Sequence, residues 1–116
     1  MKLRQGQIVW ALVNDAAGRN PKLRPGVIVT PNNELNQCHH IVLAAITTRF
    51  DLPLPATKIQ LPWSRAGDSR TGLRKSSVVV ANWLVTITPS DVDEIAGVVP
   101  SNILIELLNQ LQNDVS

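Results

Sequence analysis

Arg24-Pro25 stands immediately before the apolar run Gly26-Val27-Ile28-Val29, and Thr47 closes the apolar run Ala44-Ala45-Ile46. If the two runs are neighbouring strands, they deliver one guanidinium and one hydroxyl to a shared surface. Arginine presents a rigid fork of donors that matches phosphate geometry. A hydroxyl donor beside it makes a pair suited to a phosphodiester, because cleavage requires the charge developing on phosphate to meet donors already in place. Pro25 biases Arg24 toward an extended backbone, which suits a strand entrance. Taken singly, each residue also fits a plain role: a solvated Arg at a strand start, and a Thr in a strand that favours Thr.

Other chemistries find less support. Cys38-His39-His40 is the one string with metal-ligand residue types. Adjacent histidines on a strand point to opposite faces, and no second cluster exists to converge with them, so no metal is expected. Cys38 is the single cysteine and has no disulfide or thiolate partner. No H-E-x-x-H, phosphate-binding glycine loop or G-x-S-x-G is present, and the carboxylates are scattered, so neither paired-acid chemistry nor a cofactor is expected.

The formal charge of +2 hides a polarity along the chain. All eleven Lys and Arg lie in residues 1–75 against four acids, which gives +7, while residues 76–116 hold five acids and no base, which gives −5. The bases gather in loop-like segments, with Arg19, Lys22 and Arg24 in one and Arg65, Arg70, Arg74 and Lys75 in another. Two basic loops on one face would bind a polyanion in a salt-dependent way.

The length of 116 residues suits one domain, 1–116, with a core that needs no staples. The lone cysteine, the lack of an apolar leader after Met1-Lys2-Leu3-Arg4, and the absence of an apolar run near the roughly 20 residues that span a bilayer point to a cytoplasmic protein with no membrane partner. Gln7–Val13 is apolar on both faces and reads as a buried strand. Residues 14–23 carry Asn, Asp, Gly and Pro and read as a long loop. Val27–Thr30, His40–Thr47 and Thr57–Leu61 read as strands, with one helical turn at 34–38. The prolines of 51–55 keep that segment out of a sheet. Residues 62–75 form a second long loop. Ser77–Ala81 continues as a strand to Thr88 after a kink near Asn82-Trp83. Ser90 with Asp93 opens a short helix that Gly97 ends. Ser101 caps the one long helix, whose stripe Ile103, Leu104, Leu107, Leu108 and Leu111 packs on the sheet. These elements predict a mainly β, α+β fold: a strongly bent sheet or partly open barrel with a terminal helix. Trp10 reads as core, whereas Phe50 and Trp63 lie in or beside loops where a ring can stack on an unpaired base or cap the core edge.

These residues resemble the MazF/PemK family of toxins. Gly6-Gln7-Ile8-Val9-Trp10 is similar to the family's opening R-G-D-I-V-W strand, and Leu23–Val29 to its R-R-P-x-L-V-V strand. Val42–Thr48 resembles V-x-A-I-T-S, Leu52-Pro53-Leu54-Pro55 the loop after it, and Gly72–Val79 the segment G-L-x-x-x-S-V-V. The matches follow the family's order over about residues 5–112. The resemblance implies an SH3-like barrel of about five to seven strands with a C-terminal helix, a homodimer, and metal-independent cleavage of single-stranded RNA. It also implies an antitoxin that wraps the toxin with a disordered segment. By motif, Arg24 and Thr47 take the catalytic positions, with attack of a ribose 2′-hydroxyl on the adjacent phosphate. RNA contacts are expected from Arg19, Lys22, Thr48, Arg49, Phe50, Arg65, Arg70, Arg74 and Asn82.

One departure touches the chemistry. Where many relatives read Asp-Gln-(Ile/Pro)-Arg-Thr, this chain has Asn82-Trp83-Leu84-Val85-Thr86. An amide cannot serve as a proton acceptor in place of a carboxylate, so the general acid and base stay unassigned. Two alternatives to the endoribonuclease toxin remain. A CcdB-like gyrase inhibitor would call for a Trp-Gly-Ile ending, but this chain ends Leu111-Gln112-Asn113-Asp114-Val115-Ser116. A non-catalytic RNA-binding barrel gains weight from Asn82.

Overall fold

Strand β1 spans Gln7–Val13 and β2 spans Lys22–Ile28; a four-residue turn of helix, α1, occupies Asn32–Leu35. Then come β3 (Ile41–Thr47), β4 (Lys58–Leu61), β5 (Ser77–Ile87), a 3-10 turn at Pro89–Asp91, β6 (Val92–Val98) and α2 (Ser101–Val115). The computed structural model describes residues 2–13, 21–35 and 40–115.

The six strands form one antiparallel sheet in the order β4-β5-β3-β2-β1-β6. Its two edge strands do not pair, so the sheet stays open. Both of its faces are apolar, which is why its central strands read as unbroken hydrophobic runs. Ile8, Val27, Ala44, Ile46 and Val79 pack on one face. Alternate residues Val9, Ala11, Ile28 and Leu43 pack on the other with Ile41, Ile87 and Val92. Helix α2 lids the first face: Leu107 is fully buried there, and Leu104, Leu108 and Leu111 pack beside it. Leu107 contributes roughly 1.5–3 kcal/mol by leaving water entirely, and its half-buried neighbours less.

Three irregularities bend the sheet. The β1–β6 register shifts at Ile8/Val9 and at Trp10/Ala11, and the β3–β5 register shifts between Ala44 and Ile46. Bulges of this kind increase local twist and re-aim side chains. The third shift sits opposite the Asn82-Trp83 kink, and β5 passes through it as one continuous strand.

Two segments depart from the sequence reading. β2 starts at Lys22, so Lys22 and Leu23, read as the end of the long loop, are strand residues and the strand begins before Arg24. Turn-forming composition hid this, but pairing with β1 from Val13↔Lys22 to Ile8↔Val27 supplies the ladder. Residues 90–97 are not a helix either. The Asp91 carboxylate accepts the Thr88 N–H at 2.9 Å, a local cap that ends after one 3-10 turn. Val92, Ile95 and Val98 then extend along β1 as a sixth strand, because pairing with an edge outweighs a weak helical signal. The expected turn at 34–38 is seen as Asn32–Leu35, and Asn36 to Cys38 lie outside the described residues.

Candidate nucleic-acid interface and active site

The ladder between β2 and β3 pairs Val27 with Ala44 and Gly26 with Ala45. Arg24 and Thr47 each lie two residues beyond the last of these pairs, at the same end of the two neighbouring strands. Their cross-strand neighbours are Ala11, paired with Arg24, and Val78, paired with Thr47. Arg24 is exposed and Thr47 half-buried. Both border the same groove, which encloses about 1140 Å³. That exceeds the roughly 300–1,000 Å³ of small-molecule pockets and suits a segment of polymer.

The Thr47 hydroxyl is held by its own loop. Its oxygen accepts the Arg49 backbone N–H at 3.1 Å. With the oxygen accepting, the hydroxyl proton is available to donate to a bound anion. The same turn brings Thr48 and Arg49 to the groove.

The opposite wall comes from residues 62–75, a loop folded through its main chain. The Asp68 carboxylate accepts the backbone N–H groups of Arg70 at 2.8 Å and Thr71 at 3.0 Å. These two bonds, that from Thr71 foremost, hold its pKa below the ordinary 3.8. Thr71 is fully buried; its hydroxyl donates to the Pro62 carbonyl at 2.8 Å and accepts the Leu73 N–H at 3.2 Å. The loop seats on β6, where the Val98 N–H donates to the Arg70 carbonyl at 2.7 Å. Gly97 makes that seat possible, because a Cβ there would collide with the Arg70 and Thr71 backbone. Gly72 takes φ +73°, a left-handed conformation that glycine adopts freely. Leu73 anchors the loop in the core, and Arg74 and Lys75 reach the groove beside it.

Among the described residues, five cationic ones therefore border the groove (Lys22, Arg24, Arg49, Arg74 and Lys75) against one carboxylate, Glu94. Of the residues singled out in the sequence, Arg24, Thr47, Lys22, Thr48, Arg49 and Arg74 meet there. Phe50, Arg65, Arg70 and Asn82 do not border it; Phe50 is half-buried and the other three are exposed elsewhere. Arg19, like Cys38 and His39, lies outside the described residues. Val85 packs against the second apolar cluster.

Sequence reasoning missed Trp10, Trp83 and Glu94. Trp10 is half-buried between the buried Val9 and Ala11 and borders the groove rather than filling the core. Trp83 is 43% exposed beside the groove, one position after the expected Asn82. An unpaired tryptophan next to a strand bulge was the available signal. Among the described residues, no group of three or more His, Cys, Asp or Glu is placed to hold a metal ion, and no helix is long and apolar enough to cross a membrane.

A bent, open antiparallel sheet lidded by a C-terminal helix, with a groove bordered by five cations, is the architecture of a small barrel-like α+β domain. The family described as PemK-like, MazF-like toxin of type II toxin-antitoxin systems matches residues 4–113, and the chain belongs to it. The solved MazF of Deinococcus radiodurans superposes with a TM-score of 0.75 at 20% identity, covering 99% of this chain and 97% of that one. The Mycobacterium tuberculosis toxin MazF-mt6 gives 0.71 at 24% identity, covering 92% and 93%. A mycobacterial endoribonuclease in complex with its cognate antitoxin gives 0.74 at 17% identity, covering 98% and 95%. At these identities the likeness carries the fold. No curated protein matches the sequence.

Proposed function

We propose that this chain is the toxin of a type II toxin–antitoxin pair and acts as an endoribonuclease on single-stranded RNA in the cytoplasm, without a metal. The observation that carries this reading is one groove bordered by Arg24, Thr47 and four further cations. The ribose 2′-oxygen attacks the adjacent phosphorus and forms a new P–O bond as the bond to the 5′-oxygen breaks. The products are a 2′,3′-cyclic phosphate and a 5′-hydroxyl, and the proton lost by the 2′-hydroxyl is matched by one gained at the departing oxygen. Arg24 keeps its charge and neutralises the phosphorane-like intermediate. Thr47 donates to a non-bridging oxygen. Lys22, Arg49, Arg74 and Lys75 hold the flanking phosphates, with Thr48 lining the path between them.

Family membership further supports a cognate antitoxin that covers the cationic groove, and a homodimer. Leu12 and Leu23, cross-strand neighbours at 48% and 47% exposure, offer apolar surface to a second copy. The test is incubation with mixed-sequence RNA in EDTA. Cleavage by the native chain, and its loss in Arg24→Ala with the fold intact, is the expected result. Undiminished cleavage by Arg24→Ala defeats the site assignment, and intact but gel-shifted RNA with the native chain indicates a binding barrel without chemistry.

A further inference from the structure

Among the described residues, Glu94 is the one carboxylate bordering a groove whose other charged residues are all cations. A carboxylate repels the phosphates that the five cations attract, so its place in an RNA groove calls for a ligand group that donates hydrogen bonds. Register locates that group. Glu94 on β6 pairs with Trp10 on β1, and Trp10 pairs in turn with Pro25 on β2. Directly opposed residues share a face with Cβ atoms about 4.5–5.5 Å apart. The row therefore sets a carboxylate beside an indole, one position along β2 from Arg24, and Glu94, Trp10 and Pro25 all border the groove. An aromatic surface next to a carboxylate is a site for an unpaired base, stacked on the ring and read at its Watson–Crick edge.

The chemistry selects the base. The carboxylate's two oxygens are acceptors only. Guanine alone offers two parallel donors on one edge, N1–H and the N2 amino group. Adenine and cytosine set a ring acceptor beside their amino group, and uracil flanks N3–H with two carbonyls, so each opposes one carboxylate oxygen. We infer that Glu94 and Trp10 form a guanine-reading subsite next to the scissile phosphate, with Glu94 the specificity-determining residue. This rests on the ribonuclease reading above.

The test sequences the ends of mixed-sequence RNA cut by the native chain, Glu94→Gln and Glu94→Ala. It also measures fluorescence anisotropy with single strands carrying guanine or inosine, which lacks the N2 amino group. The expected result is guanine at a fixed position near the cut, an approximately tenfold weaker complex with inosine, and loss of both preferences in Glu94→Ala. Glu94 is exposed, so both variants are expected to fold. Cut sites without a fixed guanine, or a guanine preference retained in both variants, overturn the inference. A fall in kcat with unchanged sequence preference and an altered pH profile also overturns it, by making Glu94 a proton-transfer group. If the native chain leaves RNA uncut, the ribonuclease reading fails. The anisotropy comparison then decides the subsite alone, and equal affinity for the guanine and inosine strands rejects it.

Discussion

Replacing Gly97 with alanine should unseat the groove's second wall. The added methyl would stand 2.6 Å from the Thr71 carbonyl carbon and 2.7 Å from its oxygen, and closer still to the Arg70 oxygen. Ordinary contact begins near 3.4 Å, so the loop backbone must retreat by at least 0.8 Å, the difference between 3.4 and 2.6, and further at the Arg70 oxygen. Backbone on both sides leaves no flexible side chain to give way. Overpacking of this kind costs roughly 1–3 kcal/mol. The retreat also breaks the bond from the Val98 N–H to the Arg70 carbonyl, worth about 1 kcal/mol. The sum is about 2–4 kcal/mol, and at roughly 4 °C per kcal/mol for a domain of this size the midpoint falls by about 8–16 °C. Thermal unfolding followed by circular dichroism measures this directly. RNA affinity should fall with it, because Arg74 and Lys75 follow Leu73 out of position. A midpoint within about 2 °C of the native value would refute the seating of residues 70–72 on β6.

Three further outcomes follow from the same structure. Arg24→Lys keeps the charge but loses the bidentate fork, so kcat in RNA cleavage should fall by about 10²–10³-fold with little change in melting temperature; full activity would remove the need for a guanidinium. Binding of 2′-O-methylated single-stranded RNA should weaken with salt, with a log–log slope as steep as about −3.5 if all five groove cations contact phosphates, and Lys75→Ala should flatten it by about 0.7. The Asp68 pKa is depressed in the folded chain, so its stabilisation is complete above the ordinary value of 3.8 and is lost as pH falls through the lower folded value. Melting temperatures measured from pH 7 down to about pH 3 should therefore drop below about pH 4, and Asp68→Asn should flatten that acid limb.

Sequence reasoning worked where the chain's pattern and its tertiary role coincide. The unbroken apolar runs of β1 and β3 announced strands buried on both faces, and the leucine stripe of α2 announced the helix that lids one of them. It failed where a partner decides the outcome. Nothing local in Lys22-Leu23 marks a strand until Val13 and Leu12 lie alongside to pair with it. Val92–Val98 carries helix-compatible residues, yet the free edge of β1 recruits it. In the site, Arg24 and Thr47 were legible because a charged and a hydroxyl residue interrupt apolar runs at matching ends. Glu94 and Trp10 were not, because they lie some eighty positions apart in the chain and become neighbours only through a bulged β1–β6 register.

The residue 62–75 wall is held in shape by the side chains of Asp68 and Thr71 and by main-chain bonds among Ser64, Gly67, Asp68, Gly72 and Leu73. Ser69, Arg65 and Ala66 take little part in that scaffold and stand exposed. Such a segment can exchange its outward letters without losing its contour. Single substitutions at these three positions, which stand clear of the groove, therefore leave the framework beneath untouched.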